Sequence, residues 1–391
     1  MKSIRCATLA IIFIAAACGH IKPASSPTSA PLVLTNATLI DGTGVEPIRN
    51  ATMVINGDRI IAIGSSTSLM IPANGKIIDL EGATILPGLI NAHVHDAYKE
   101  SRLQTWAQAG VTTVRDEGII SGPGQLDSLL GSRGEWSRSP LNARLISAGY
   151  MLSAPGGYGQ LDVTSVDNAY QQVNSELDQG VDLIKIALES GYAGVTNLPN
   201  LSSDELKAIV EASHDRGVFV SAHLTDVKFL QQLMDAGVDD LAHVPYGHIT
   251  PTQIEQIINQ DIYVVSTLTV FDAYGVLQGA SNNLKQLAAA GVPIAMGNDY
   301  TAIPQNNFDH FELGMPMHEI THMSEAGMTP MQIIVASTRN AAHVCGLAQD
   351  LGTLEVGKIA DILIVEGDPL KDLNALTRVK MVIHNGEIIR Q

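Results

Sequence analysis

The sequence has few charged residues, and basic residues are especially scarce. Only 16% of its 391 residues are charged, and 23 Lys and Arg stand against 40 Asp and Glu, which gives a formal net charge of −17. The basic residues form no cluster along the chain. Because nucleic acids and anionic membrane surfaces are bound through clustered positive charge, both are excluded as partners. A small-molecule substrate is the expected partner, and nothing in the sequence predicts the oligomeric state.

Cysteine is also rare, since the chain has only Cys6, Cys18 and Cys345. At the N-terminus, two basic residues precede an apolar run and a group of small residues, which is the pattern of a signal peptide over residues 1–17. Its removal would leave Cys18 and Cys345, and the latter lies in an apolar setting typical of a core thiol. No disulfide framework is therefore expected.

The letters AAAC before and at position 18 resemble a bacterial lipoprotein processing site. This resemblance implies that Cys18 is lipidated, with simple cleavage and secretion as the alternative. The following residues 18–30 are polar and contain Pro and Ser, so we expect a disordered tether. These features predict a protein of the cell envelope or periplasm, held at the membrane only through an N-terminal lipid anchor.

Both ends of the remaining chain have short apolar runs separated by turns. Asn-Gly pairs at 56–57 and 385–386 lie between such runs, as hairpin turns do. We therefore expect residues 31–84 and 347–391 to form one small β-sandwich domain, with the residues between them inserted into it.

Residues 85–346 alternate between apolar strand-like segments and helical ones. One helical stretch has Ser202 or Ser203 as its predicted N-cap and Gly217 as its stop. The strand-like segments number eight: ILPGLINAHVH, TTVRDEG, RLISAGYM, DLIKIALES, FVSAHLT, DLAHVPY, YVVSTLTV and IAMGNDY. This alternation predicts an α/β fold, a (β/α)8 TIM-type barrel whose active site lies at the carboxyl ends of the strands.

His93 and His95 stand at the end of the first predicted strand, in the stretch NAHVHDA. Side chains two positions apart on a strand point to the same face, so both imidazoles aim at one place. Taken by itself, this pair is equally typical of two histidines that face solvent or bond to the backbone at a strand end. A metal ion held by two nitrogens is the alternative, and it needs further ligands from elsewhere in the chain.

Further residues of the required types occupy the ends of other predicted strands. They are Lys185 on the fourth strand, His223 on the fifth, His243 on the sixth and Asp299 on the eighth. Each has an ordinary structural explanation by itself. A barrel, however, brings the carboxyl ends of all its strands around one mouth. The joint placement of these residues therefore indicates a metal site.

With these residues the sequence resembles the amidohydrolase superfamily of metal-dependent hydrolases. The resemblance extends over residues 32–391 and includes GVTTVRD, STRNAAHVCGL and LGTLEVGKIADILIV. It is most similar to the branch of imidazolonepropionase-like proteins and metal-dependent dipeptidases. Members that keep the lysine of the fourth strand carboxylate it with CO2 and use the carbamate to bridge two metal ions.

The resemblance implies two divalent metal ions. The implied ligands are His93, His95 and Asp299 for one ion, His223 and His243 for the other, and the carbamate of Lys185 between them. Zinc is expected because the ligands are imidazoles and carboxylates, with manganese, cobalt or iron as alternatives. The implied catalytic residues are Lys185 and Asp299, since the carbamate bridges the ions and Asp299 exchanges a proton with a metal-bridging hydroxide.

Two departures from this family concern the substrate. Deaminase relatives have an acidic residue just after the histidine of the fifth strand, where this chain has Leu224 and Thr225, so deamination is disfavoured. Dipeptidase-like and imidazolonepropionase-like relatives often have GGHG after the third strand, where this chain reads PGGYGQ. Tyr158 therefore replaces a histidine that faces the substrate. Tyr158 and Tyr246 are candidate substrate-binding residues, with packing at the barrel rim as the alternative for Tyr158.

A second histidine pair, in HEITH at 318–322, fits the His-Glu-x-x-His pattern of zinc proteases. Leu313, Met317 and Ile320 form an apolar stripe across the same stretch, as expected of an outer barrel helix. We therefore interpret the motif as part of such a helix, with two solvated histidines.

The sequence thus predicts a binuclear amidohydrolase that cleaves an amide bond in a peptide or N-acyl amino acid. Hydrolysis of a cyclic amide, a lactone or another ester at the same site is the second hypothesis. A catalytically silent binding lipoprotein is the third, and stoichiometric metal would argue against it. We expect substrate specificity to lie in the segments after the strands, such as 153–165 and 270–280.

Overall fold

The structure is a computed structural model that describes residues 30–67, 69–119, 124–191, 194–302 and 311–391. The predicted signal peptide, Cys18 and all but the last residue of the predicted tether lie outside the described residues.

The first part of the described chain is a run of β-strands. They are β1 (Leu32–Leu39), β2 (Ile48–Asn56), β3 (Arg59–Ser65), β4 (Lys76–Asp79) and β5 (Thr84–Pro87). Strand β1 pairs antiparallel with β2 on one side, and on its other side it pairs parallel with β4 and then with β5. Asn36 separates the two parallel pairings, and its left-handed φ of 56° marks the break in the strand.

The central part of the chain contains the strands of the barrel. They are β6 (Leu89–Val94), β7 (Val111–Asp116), β8 (Arg144–Ser147), β11 (Ile184–Ala187), β12 (Val220–His223), β13 (Asp240–Leu241), β14 (Tyr263–Val265) and β15 (Ile294–Ala295), with two short additions, β9 (Met151–Ser153) and β10 (Leu161–Asp162). Each of the eight predicted segments overlaps one of these eight strands. Strands β6 to β8 are parallel to one another, and so are β9 to β15.

Backbone hydrogen bonds connect these two groups of strands. Asp182 N donates to Ser147 O over 2.8 Å, which links the third segment to the fourth. Ala92 N donates to Met296 O over 2.9 Å, which links the first segment to the eighth. The predicted TIM-type barrel with a separate β-rich domain is confirmed.

The predicted barrel segments are longer than the strands, and two of them differ for a reason that the backbone shows. The run from 85 to 95 is two strands, because β5 belongs to the β-rich sheet and β6 begins the barrel. They meet at Gly88, where a Cβ atom would come within 2.4 Å of the Thr112 side chain. The seventh segment ends early, because Thr267 adopts a left-handed φ of 40° and turns the chain into a helix.

Helices and helical turns occupy the spaces between the strands. The helices are α1 (Glu100–Ala109), α2 (Leu126–Trp136), α3 (Val166–Gln179), α4 (Ser203–Asp215), α5 (Leu230–Ala236), α6 (Pro251–Asn259), α7 (Leu268–Ala273), α8 (Leu277–Ala290), α9 (Met317–Glu325), α10 (Pro330–Val335) and α11 (Ala341–Val344). Short 3-10 turns lie at Val227–Phe229 and Leu373–Thr377, and a π turn joins α10 to α11 at Ala336–Asn340.

Helix α4 shows how the sequence determines a boundary. Ser202 is its N-cap, as predicted, and Ser202 and Glu205 form a capping box. The helix ends at Asp215, two residues before Gly217, whose φ is 69°. Within the described residues, no helix combines the length and apolar character needed to cross a membrane.

The C-terminal part of the chain returns to the β-rich sheet. Its strands are β16 (Ile362–Val365), β17 (Val379–His384) and β18 (Glu387–Arg390). Hydrogen bonds join the strands in the order β18-β17-β16-β5-β1-β2-β3, with β4 beside β1. The strands that we predicted as a sandwich are therefore joined in one sheet that branches at β1. Strands from both ends of the chain meet where β5 pairs with β16.

The two predicted Asn-Gly hairpins touch each other at their turns. Asn385 and Gly386 have φ values of 50° and 79°, the left-handed pair that a tight hairpin turn requires. A Cβ atom on Gly386 would lie 2.1 Å from the carbonyl oxygen of Gly57. Only glycine therefore fits at Gly386, because its backbone is left-handed and in direct contact with the other turn.

Candidate metal centre and active site

His93 and His95 bring two ring nitrogens to one place at the end of β6. Their Nε2 atoms are 3.4 Å apart. His93 Nδ1 donates to the Ala242 carbonyl oxygen over 2.9 Å, and His95 Nδ1 donates to the Gly118 carbonyl oxygen over 2.8 Å. Because each Nδ1 donates to a carbonyl oxygen, Nε2 is the nitrogen of each ring that faces the shared point and can bind a metal ion there.

Asp299 completes this group from the eighth segment. Its Oδ1 lies 3.3 Å from the Nε2 atoms of both His93 and His95. The backbone of Asp299 has a left-handed φ of 53°, and its amide donates to the His93 carbonyl oxygen over 2.9 Å. Such a conformation is costly for a non-glycine residue, and it is held here by the contact with the first strand. Among the described residues, these three form the one group of three potential metal ligands.

His223 and His243 form a second pair beside the first. His243 Nε2 lies 2.9 Å from His223 Nδ1. The other ring nitrogens have their own partners, because His243 Nδ1 is 2.9 Å from Thr267 Oγ1 and His223 Nε2 is 3.3 Å from a carboxylate oxygen of Glu189. Two ring nitrogens thus face each other at a distance that requires a proton or a cation between them.

Lys185 is buried beneath these histidines and forms an ion pair with Glu117. Glu117 has further support, since Ser221 Oγ donates to its Oε2 over 2.9 Å and Arg115 Nε lies 2.7 Å from its Oε1. Arg115 also pairs with Asp240 over 2.8 Å. Lys185 is therefore one member of a buried network of alternating charges inside the barrel.

The site favours the neutral form of three imidazoles and the ionised form of Asp299. Burial lowers the pKa values of His93 and His223, and burial with the nearby His223 holds the pKa of His243 well below its usual value. Burial alone would lower the pKa of His95, but hydrogen bonding and the charge of Asp299 raise it to about 9. Burial alone would raise the pKa of Asp299, yet the two neighbouring histidines keep it well below its usual value.

These residues fit divalent metal ions on the chemistry of their donor atoms. Metal-binding histidines commonly donate one ring nitrogen to a carbonyl or carboxylate oxygen and bind the ion with the other. His93, His95 and His223 all have this arrangement, with Ala242, Gly118 and Glu189 as the respective acceptors.

A cavity of about 490 Å³ opens above the predicted ligands, all six of which line it. Tyr158 and Tyr246 also line it, and the Tyr158 ring stacks on His223 with centroids 4.3 Å apart. Both segments that we expected to carry specificity contribute to its wall. The segment 270–280 is mostly helical, since it contains the end of α7 and the start of α8.

The described chain matches one family over most of its length. A model of the amidohydrolase family matches residues 84–389. The chain belongs to this family. The predicted superfamily is therefore confirmed, together with the enzyme class, a hydrolase that acts on carbon–nitrogen bonds. Divalent metal ions are in general use in the amidohydrolase family.

Curated relatives support the predicted branch of the amidohydrolases. The chain is 28% identical to ochratoxinase from Aspergillus niger over 431 residues, which covers 92% of this chain and 86% of that protein. It is 25% identical to imidazolonepropionase from Fusobacterium nucleatum subsp. nucleatum over 367 residues, covering 81% and 85% of the two chains. The imidazolonepropionase-like branch is therefore confirmed.

Solved amidohydrolase-like structures share the fold. A Xaa-Pro dipeptidase with bound methionine superposes with a TM-score of 0.80 at 23% identity, over 93% of this chain and 100% of that one. Phenylurea hydrolase B superposes with a TM-score of 0.77 at 22% identity, over 92% and 96% of the chains. At these identities the comparison supports the barrel and its β-rich domain.

Two buried acids in this amidohydrolase site were not among the predicted residues. Glu117 follows the second strand directly, and Glu189 lies two residues beyond the end of β11. Their positions just after barrel strands were the available signal in the sequence. A carboxylate there is equally compatible with exposure to solvent, so position alone does not distinguish a buried acid from an exposed one.

The HEITH stretch has a structural role in the barrel wall. Glu319 is buried and accepts hydrogen bonds from the amides of Leu268 and Thr269 over 2.9 and 2.8 Å, so it caps the start of α7. His318 contacts Glu312, while His322 is largely buried near Asp272. The prediction of an outer helix is correct, but the expectation of two solvated histidines is wrong for His322.

Proposed function

We propose that this chain is a binuclear metal-dependent amidohydrolase that cleaves an amide bond of a small molecule. The observation that carries the proposal is the convergence of the predicted ligands on one cavity, with ring nitrogens already oriented by partners on their far sides. The proposed ligands are His93, His95 and Asp299 for one ion, His223 and His243 for the second, and carboxylated Lys185 between them.

Zinc is the proposed metal, because imidazole and carboxylate ligands suit it. Carboxylation replaces the ammonium group of Lys185 with an anionic carbamate that is able to bind both ions. Glu117 would then lose the lysine as its partner, but Arg115 and Ser221 remain close to its carboxylate. The buried network therefore provides an alternative partner for Glu117 after the lysine is modified.

The residues of the chain have distinct proposed roles in the reaction. When bound, the two ions would lower the pKa of water to about 7 and polarise the substrate carbonyl. Asp299 accepts the proton of the attacking water and passes it to the leaving nitrogen. Its pKa lies well below the usual value, so it begins the reaction as a base. Tyr158 and Tyr246 contact the substrate from the cavity wall.

The proposed substrates are peptides and N-acyl amino acids, both of which contain an amide bond. A cyclic amide, a lactone or another ester is the second candidate, because attack at a carbonyl is common to all of them and the cavity alone decides which substrate is bound.

Metal content tests the proposal directly. We expect about two ions per chain in the protein from residue 31 onward, falling to one or fewer in Lys185→Met, as measured by elemental analysis. Lys207→Met is a matched control, since Lys207 is exposed on α4. One ion in both proteins, or none, would contradict the carbamate-bridged pair. The loaded protein is then screened with dipeptides, N-acyl amino acids and lactones.

We also propose that the enzyme is anchored in the cell envelope through lipidated Cys18. The proposal rests on the sequence pattern of residues 1–18. In a bacterial host, the full chain should appear in the membrane fraction and incorporate labelled fatty acid, whereas Cys18→Ala should lose the label. A labelled Cys18→Ala protein would contradict the assignment.

A further inference from the structure

The wall of the cavity is rich in aromatic rings, although the chain as a whole is poor in them. Aromatic residues make up 4% of the sequence. Five of them line the cavity with Val276, namely Tyr158, Tyr246, Phe271, Tyr274 and Phe311. Aromatic rings in a pocket provide large apolar contact areas and stack on other rings. The cavity therefore suits an apolar group, such as an aromatic ring, next to the scissile bond.

The same wall carries two carboxylates, those of Asp299 and Glu189. Glu189 lines the cavity, and its carboxylate accepts hydrogen bonds from Thr225 Oγ1 over 2.6 Å and from the amides of Ser190 and Gly191 over 2.6 and 3.0 Å. All of these partners are donors, so the Glu189 carboxylate is held as a hydrogen-bond acceptor at the wall.

Positive side chains do not balance this charge at the wall. Among the described residues that line the cavity, Lys185 is the single Lys or Arg, and it is already paired with Glu117. The internal positions outside the described residues, 68, 120–123, 192–193 and 303–310, contain neither Lys nor Arg in the sequence. In the loaded enzyme, Asp299, the carbamate and Glu189 would offset most of the charge of the two ions.

We propose that the substrate is an amide with an aromatic or branched apolar group and without a carboxylate next to the scissile bond. This inference rests on the proposed function and narrows it. A carboxylate brought into this cavity would lose its hydration, would have no Lys or Arg to pair with, and would be repelled by Glu189. An uncharged substrate of the same shape would retain the aromatic contacts without this cost.

A matched pair of compounds tests the inference on the metal-loaded protein. N-acetyl-2-phenylethylamine and N-acetyl-L-phenylalanine differ only by the carboxylate beside the amide nitrogen. Binding is measured by calorimetry, and kcat/KM by release of the amine. We expect the uncharged compound to bind at least tenfold more tightly. Equal or tighter binding of the acid, or no binding of either compound, would overturn the inference. Selective binding without turnover would instead count against the proposed hydrolysis alone.

A pair of variants tests the cause of the selectivity. Val276 is exposed at the rim of the cavity, so Val276→Lys adds a positive charge there, while Val276→Met adds similar length without charge. We expect the lysine variant to bind the acid several-fold more tightly than the methionine variant does, with little difference for the uncharged compound. The same affinity of both variants for the acid would show that charge does not control selectivity.

Discussion

Glu189 determines which nitrogen of His223 is available to a metal ion. A carboxylate accepts hydrogen bonds and cannot donate them, so the ring nitrogen 3.3 Å from Glu189 Oε2 carries the proton. The opposite nitrogen, which faces His243, is then free of a proton. Carboxylate partners of this kind commonly change metal affinity by roughly 10- to 100-fold.

The Glu189→Gln substitution should therefore weaken the second metal site selectively. The amide has one acceptor oxygen, so it cannot serve both His223 and the backbone amides of Ser190 and Gly191. We expect the ion at His223 and His243 to be lost at a chelator concentration about tenfold or more below that needed in the wild type. Glu211→Gln, on the exposed face of α4, is the control. Equal chelator sensitivity of the two variants would rule out this role.

At the level of elements, helix α3 carries a buried acid that affects stability rather than chemistry. Glu176 accepts a hydrogen bond from the Tyr150 amide over 2.7 Å, while its Oε2 has no partner among the described residues. Burial raises the pKa of Glu176 to about 8. The folded protein therefore retains a proton on this side chain at a pH where the unfolded chain has lost it.

The sign of this shift predicts how stability changes with pH. Between pH 4.5 and about 8 the folded state holds more protons than the unfolded state, so the contribution of Glu176 decreases as the pH rises. Glu176→Gln resembles the protonated acid. It should leave the free energy of unfolding nearly unchanged at pH 5 and increase it above pH 8 by an amount on the order of 4 kcal/mol. Denaturant unfolding across this pH range measures the difference.

The control for this prediction is Glu135→Gln, because Glu135 is exposed on α2. Its unfolding free energy should parallel that of the wild type at every pH. A parallel curve for Glu176→Gln as well would mean that the buried carboxyl is ionised in the folded protein.

The convergence of the side chains at the ends of the barrel strands was predictable, because the geometry of a barrel determines where these ends lie. A histidine, a lysine or an aspartate at the carboxyl end of a barrel strand faces the common mouth, whatever the sequence between strands. The six predicted ligands line one cavity for this reason.

Other features of the elements depend on contacts between distant residues, which a sequence pattern does not reveal. The seventh segment continues into α7, whose first amides are accepted by Glu319 from a helix later in the chain. Glu117 and Glu189 are buried because side chains from other barrel segments offer them donors, namely Lys185 and Ser221 for Glu117 and Thr225 for Glu189. Helix α4, by contrast, has its N-cap at Ser202, one of the two predicted positions, since its capping box is local in sequence.

At the scale of the whole molecule, strands from both parts of the β-rich sheet pair with β5, the strand that leads into the first strand of the barrel. Strand β5 leads into β6 and hence to His93, and its neighbours are β1 from the beginning of the chain and β16 from near its end. The hairpin turn at Gly386 also rests on the turn at Gly57. The β-rich sheet therefore depends on contacts between residues far apart in sequence.

This arrangement has a genetic consequence. All six proposed ligands have been translated by codon 299, yet β5 gains its second neighbour only after the ribosome has passed codon 365. A stop codon or frameshift between these points would leave the coding sequence for the metal site intact. The truncated product would expose an unpaired strand edge directly before His93, and such edges promote misfolding and aggregation. Late nonsense alleles should therefore behave as null alleles.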